Sequence, residues 1–303
     1  MLAYVYQSAV DHAQLEKRRS GVTATDIPKL FGMHGSPWKV YAEKRGLIAP
    51  EEATEQMWWA SRLQEKIAEG YAELYHRKIE WLDRTFEKDG EPLFLATPDF
   101  RHTDGLCEGG EVKTSLWGER EWWGAEDTDE VPPRVILQVQ WQMLVMGWAT
   151  VIVPAFFGGA RLTKYRVDAD PELQGELAEQ ARRFWKDHIE AGVPPPLDGS
   201  LDAKRYLRRR YPNATEELRE ATAGEVEICR QFVEAREEAK KADAKEEKLR
   251  QMLTERIGFA KGISADGYTA RLSDVKGSTY TVTRESYRAL RVNGPPMTGP
   301  EPR

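Results

Sequence analysis

Asp99, Glu111 and Lys113 fall within one short stretch, LATPDFRHTDGLCEGGEVKTS, and their types define a chemistry before any fold is assigned. Along a β-strand, side chains i and i+2 share a face, so Glu111 and Lys113 project together while Val112 projects to the other side, toward a core. With LFLATPD read as the neighbouring strand, Asp99 at its end comes up to Glu111. Two carboxylates that close repel each other unless a divalent cation lies between them. Mg²⁺ takes one or two carboxylates, keeps waters and completes its shell with phosphate oxygens. A lysine alongside can orient or deprotonate the attacking water. The chemistry of the set is metal-assisted hydrolysis at a phosphate. Alone, Glu-x-Lys is equally a surface pair on a half-buried strand, with Asp99 in a Pro-Asp turn. The surrounding elements must decide.

The 303 residues, 40% of them hydrophobic and ten of them Trp, are enough for a real core. No run of about 18 apolar residues offers a membrane helix, and MLAYVYQSAVDHAQ lacks the basic and apolar regions of a secretory signal. The cytoplasm is the expected address. Cys107 and Cys229 are far apart and outside any CxxC pattern, which excludes a disulfide framework, a zinc cluster or a four-cysteine iron–sulfur site. A hard cation held by carboxylates is the metal the composition allows. A net charge of −6 means that a polyanion would be met by basic groups gathered on one surface.

Residues 1–200 read as one mixed α/β domain. SGVTATDIPKLFGM points to a short helix starting near Thr25, and MWWASRLQEKIAEGYAELYHRK to an amphipathic helix with Leu63, Ile67, Tyr71 and Leu74 on one stripe. LFLATPD and GGEVKTS read as strands, VPPRVILQVQWQMLVMGW as a helix from its prolines to Gly147, and TVIVPAFFGG with ARLTKYRVDA as a hairpin. ELAEQARRFWKDHIEAG is a further helix, closed by the linker PPPLDGS. Residues 201–290 read as a helical, coiled-coil-like extension. Within it 216–256 is one long charged helix or a helical hairpin, with Ile228, Phe232, Ala235, Ala239, Ala242, Leu249 and Leu253 at three–four spacing. GYTARLSDVKG and STYTVTRESY follow as a small β-hairpin, and 291–303 as a disordered Pro/Gly tail.

Four separated segments, in order, resemble the YqaJ-like viral recombinase family, the lambda-exonuclease branch of the PD-(D/E)xK nucleases. They are RRSGVTATDI at 18–27, WWASRLQEKIAEGYAE at 58–73, ATPDF with GGEVKTS, and VPPRVILQVQWQMLVMGW. The resemblance implies a restriction-endonuclease-like α/β core, a central mixed sheet flanked by helices. It implies Asp99 and Glu111 as metal ligands, Lys113 as the catalytic lysine and Gln138 as a helix glutamine beside the centre. Gln64, and less readily Glu65, stands where the family places a metal-supporting glutamate. Glu65 lies about 100° further round the helix, and the neutral Gln64 leaves a second metal position weaker. Phe100 replaces the family's glycine after the Asp. Arg19 and Thr25 fall in the segment that grips the terminal 5′-phosphate, Thr25 as a helix-start hydroxyl and Arg19 as a bidentate partner. The tryptophan pairs 58–59 and 122–123 read as core, interface or base-stacking groups.

The implied activity is a Mg²⁺-dependent 5′→3′ double-strand DNA exonuclease of phage recombination, with Mn²⁺ as a substitute ion. It would release 5′-mononucleotides and leave 3′ overhangs for a single-strand annealing protein in the cytoplasm of a bacterial host. Relatives form rings around duplex, which implies a homo-oligomer, a trimer among the possibilities. The alternatives are an endonuclease of the same superfamily and a non-catalytic DNA-end-binding scaffold.

Overall fold

The computed structural model describes residues 12–33, 35–48, 54–105, 109–115, 117–213, 218–274 and 290–292. Two compact units result, 1–209 and 210–303. The first begins with α1 (His12–Arg19), β1 (Val22–Thr23), α2 (Ile27–Leu30) and α3 (Pro37–Lys44), the last capped by the Ser36 hydroxyl accepting from Lys39 N–H. α4 (Glu55–Leu74) starts where the Thr54 hydroxyl accepts from Met57 N–H. It buries Ile67, Ala68 and Tyr71, a narrower stripe than its sequence promises, because Leu63 and Leu74 stay exposed.

Five short strands follow: β2 (Ile79–Trp81), β3 (Phe86–Lys88), β4 (Glu91–Ala96), β5 (Phe100–His102) and β6 (Gly109–Gly110). Next come β7 (Lys113–Ser115), a 3₁₀ turn at Trp117–Trp122, and α5 (Pro133–Met146), which Gly147 ends at φ 69°. β8 (Thr150–Phe157) and β9 (Arg161–Asp168) form the expected hairpin. α6 (Pro171–Phe184), capped by Asp170, runs on as π-helix through Glu190, and α7 (Leu201–Arg210) follows.

The strands divide between two sheets. β1, β4 and β3 make one; in the other, β2 pairs β5, β5 pairs β6, and β8 takes β6 and β7 on one edge and β9 on the other. β6 and β7 are halves of one strand running parallel to β8, and Glu111 N–H keeps the ladder to the Ile152 carbonyl between them (3.0 Å). LFLATPD is therefore not the partner of GGEVKTS. Pro98 has no N–H to donate, β4 ends at Ala96, and the chain crosses to the second sheet, where Phe100 pairs with Gly110. Gly110 is required there: a Cβ would fall 1.9 Å from the Phe100 ring, and one on Gly109 just as close to Trp148.

Both faces of the second sheet are covered. Val112, Phe100 and Ile152 pack with Ile67, Ala68 and Tyr71 of α4. Val151, Val153, Ala155 and Phe157 pack with Val135, Val139 and Met143 of α5. The other side of α5, through Leu137, Trp141 and Val145, closes a third cluster with Phe94, Ile27, Leu177 and Phe184.

In the second unit, α8 (Ala223–Ile257) is one uninterrupted helix, and β10 (Gly262–Ala265) pairs antiparallel with β11 (Tyr268–Arg271). The Asp266-Gly267 turn, with φ 51° and 79°, sets that hairpin. The tyrosine strand thus pairs with the residues before it; STYTVTRESY, at 278–287, and the tail from 293 lie outside the described residues. No helix among the described residues is long and apolar enough to cross a membrane.

Candidate active site

The break between β6 and β7 exposes one carboxylate to the face that α5 covers. Glu111 is 4% exposed and receives three hydrogen bonds. Lys113 Nζ (2.7 Å) and Gln138 Nε2 (2.6 Å) donate to Oε1, and Gln142 Nε2 donates to Oε2 (2.7 Å). Lys113 Nζ also donates to Gln138 Oε1 (2.8 Å), closing a three-membered ring of side chains. Glu111 and Lys113 share a face because they lie two apart in one strand; Gln138 and Gln142 share one because they lie four apart in a helix.

Asp99 enters from the crossover between the sheets. Its N–H donates to the Gly110 carbonyl (3.2 Å), and its Oδ2 accepts from Val112 N–H (2.7 Å), so backbone bonds bracket Glu111 on both sides. Burial and the neighbouring Glu111 carboxylate push the Asp99 carboxyl well above its ordinary value. Lys113 and the Val112 N–H oppose that without cancelling it. The two acids share a single ammonium group.

Gln64 is half-buried on α4, the helix covering the Val112 face, and Glu65 is exposed. No hydrogen bond or ion pair among the described residues joins either to Asp99 or Glu111. Nor do three or more His, Cys, Asp or Glu gather into a metal-ligand cluster among the described residues. The donor set available to a cation is two carboxylates, an arrangement that fits Mg²⁺ with its remaining positions left to water and phosphate. Gln142 is the site residue that sequence reasoning missed. Its signal was the i+4 spacing from Gln138, hidden among apolar neighbours that make it look like core; its Oε1 is buried without a partner among the described residues.

A second polar cluster lies on the β1–α2 loop. Asp26 is 3% exposed and meets Lys44 Nζ at 2.6 Å, Lys29 Nζ at 3.7 Å, and the N–H and hydroxyl of Thr23 at 2.9 and 2.7 Å. Burial alone would raise this carboxyl; the two ammonium groups and the hydrogen bonds outweigh it and hold it well below its usual range. Asp26, not Thr25, precedes α2, and four residues are too few to present a helix-terminus anion site. Thr25 accepts from Arg18 Nη2 (2.8 Å), whereas Arg19 pairs with Glu16 on its own helix (2.7 Å). Arg18, one residue before the expected arginine, is the one the structure brings to Thr25.

The tryptophan pairs split. Trp123 is core, against Phe157 and Tyr165. Trp59 and Trp122 are 51% and 66% exposed, and Arg62 lies over the half-buried Trp58 ring. Cys107 lies outside the described residues, and Cys229 is exposed on α8.

The chain is 26% identical over 203 residues to the uncharacterized protein YqaJ of Bacillus subtilis (strain 168), covering 65% of this chain and 62% of that relative's length. Among solved structures, LHK-Exo in complex with dAMP has the same fold, with a TM-score of 0.50 at 17% identity over 67% of this chain and 98% of that one. A second structure of that alkaline exonuclease, from Laribacter hongkongensis, gives a TM-score of 0.48 at 16% identity over 60% and 94%. Residues 14–149, which carry Asp99, Glu111, Lys113, Gln138 and Gln142, match the YqaJ-like viral recombinase domain.

Proposed function

We propose that the chain is a divalent-cation-dependent deoxyribonuclease acting on ends of duplex DNA, a 5′→3′ exonuclease of phage recombination. It releases 5′-mononucleotides and leaves 3′ overhangs for a single-strand annealing protein. The observation that carries this reading is the Lys113–Glu111–Gln138 ring beside Asp99. Bound between Asp99 and Glu111, Mg²⁺ or Mn²⁺ would polarise a phosphate oxygen and lower the pKa of a water. Lys113 uses two N–H donors on Glu111 and Gln138, which fixes its Nζ and aims a third at the attacking water or the phosphate. Gln138 and Gln142 hold Glu111 so that its oxygens face the gap. Arg18 and Thr25 contact the terminal 5′-phosphate, with Arg19 the outer candidate. Exposed Trp59 and Trp122 are candidate stacking surfaces for unpaired bases. LHK-Exo was crystallised with dAMP, and a deoxynucleoside monophosphate is the class of product expected here.

The test is digestion of linear duplex labelled at either end, with and without a 5′-phosphate, in Mg²⁺ or EDTA beside a closed circle. Metal-dependent release from phosphorylated 5′ ends with the circle spared is the expected result. Cutting of the circle would make the chain an endonuclease. No cleavage in Mg²⁺ or Mn²⁺ would leave an end-binding protein in which neutral Gln64 stands for a missing acid.

A further inference from the structure

α8 is a 35-residue helix opened by a capping box between Thr222 and Glu225, and at about 1.5 Å per residue it is roughly 50 Å long. Of its described residues only Ile257 is buried. Ile228 is 66% exposed, Phe232 39%, Leu249 49% and Leu253 45%. Helices in proteins owe most of their stability to packing an apolar face, and among the described residues this one stays largely exposed. From 228 to 253 the positions of that face alternate four and three residues apart, the a/d spacing of a coiled coil, all apolar but Glu246; the charges of the whole helix nearly balance at nine acidic to eight basic.

We propose that α8 pairs antiparallel with α8 of a second copy of this chain, centred between Lys240 and Lys241. The core layers would then be Ile228 on Leu253, Phe232 on Leu249, Ala235 on Glu246 and Ala239 on Ala242, each formed twice by symmetry. Small residues at the centre let the helices approach closely, and large ones close both ends. The flanking charges select this arrangement over its competitors. A parallel, in-register pair sets Glu238 against Asp243 and Lys245 against Arg250, like on like. An antiparallel pair slipped one heptad one way opposes Glu238 to itself and Arg236 to itself; slipped the other way, it opposes Lys245 to itself and Asp243 to itself. In the proposed register Glu238 meets Lys245 and Arg236 meets Asp243. Arg236 already lies along the seam, its guanidinium 5.0 Å from the Phe232 ring centroid and donating to the Val292 carbonyl at 3.2 Å.

The experiment measures the mass of the full chain in solution by light scattering. Glu238→Lys creates two like-charge contacts in the antiparallel pair and should halve the mass of the assembly; adding Lys245→Glu should restore it. In a parallel pair the same single change would bring a positive charge up to Asp243 and tighten association, which overturns the proposal. A wild-type mass equal to that of Phe232→Glu/Leu249→Glu also overturns it. Register is read separately. In a Cys107→Ser/Arg250→Cys chain treated with diamide, Cys229 should form an intermolecular disulfide with the new thiol; absence of that bond in an assembly of wild-type mass would overturn the proposed register. Neither readout depends on nuclease activity, so failure of the pairing and failure of the nuclease assignment are distinguishable.

Discussion

Asp26 and Asp99 are both drawn out of water by the same domain, and their carboxyls move in opposite directions. Asp26 is met by two ammonium groups and by the N–H and hydroxyl of Thr23, so its charge is answered from within the fold. Asp99 has one backbone N–H and shares Lys113 with Glu111, so that pair of acids carries one positive charge fewer than it needs. The first arrangement holds a loop in place whatever is bound. The second is stable only when something positive arrives, and it lies where the proposed reaction needs a cation.

The sharpest test of that contrast removes one lysine from each cluster. Lys113→Ala should cut turnover on duplex DNA by about 10²–10⁴-fold and, by leaving both acids without their ammonium group, lower the urea midpoint in EDTA, a loss that Mg²⁺ should offset. Full activity would strip the ring of its proposed role. Lys44→Met should lower stability with no rescue by Mg²⁺. The Lys44 side chain is 5% exposed and donates to both Asp26 and the Arg18 carbonyl, so its loss strands a buried carboxylate at about 3–5 kcal/mol in urea unfolding.

Substituting the acids should give stability changes of opposite sign. Asp26 has a depressed pKa, so its contribution is present above about pH 4 and is lost as the pH falls through its folded value; Asp26→Asn should lower the Tm at pH 7. Asp99 has a raised pKa, so stability present below about pH 4 is lost as the pH rises through the folded value. Asp99→Asn should stabilise the chain in EDTA at pH 7 by on the order of 1 kcal/mol, raising the Tm, and that gain should vanish toward pH 4. Added Mg²⁺ should stabilise wild type and not this variant. If both variants shift the same way, the contrast fails. Smallest is the effect at the loop surface. Arg18→Ala should reduce the preference for 5′-phosphorylated over 5′-hydroxyl ends several-fold, more than Arg19→Ala does; equal effects would remove the distinction between the two arginines.

How much of this could be read beforehand follows the range of the interactions. α4 and α5 were legible because their periodicity and Gly147 are local signals. Glu111 and Lys113 came together as their i, i+2 spacing requires. The strand beside them was misassigned because pairing is a nonlocal choice, and Pro98 sends the chain to a different sheet two residues after β4 ends. Thr25 was expected to open a helix; Asp26 holds that place because its carboxylate turns inward to Lys44, on α3, a partner no local pattern names. Gln142 was invisible for the same reason, since its partner Glu111 lies on the sheet that α5 covers, 31 residues away in sequence.

One further contact joins the two clusters. The Trp141 indole N–H donates to the Leu95 carbonyl at 3.0 Å, and Leu95 is paired in the sheet with Thr23. One turn of α5 thus carries Gln138 and Gln142 toward Glu111 on one side and grips the strand beside the Arg18–Thr25 loop on the other. In the proposed reaction this is a gauge: the distance from the gripped terminal phosphate to the cut bond is set by a helix and two strands, and stride length becomes a property of the fold.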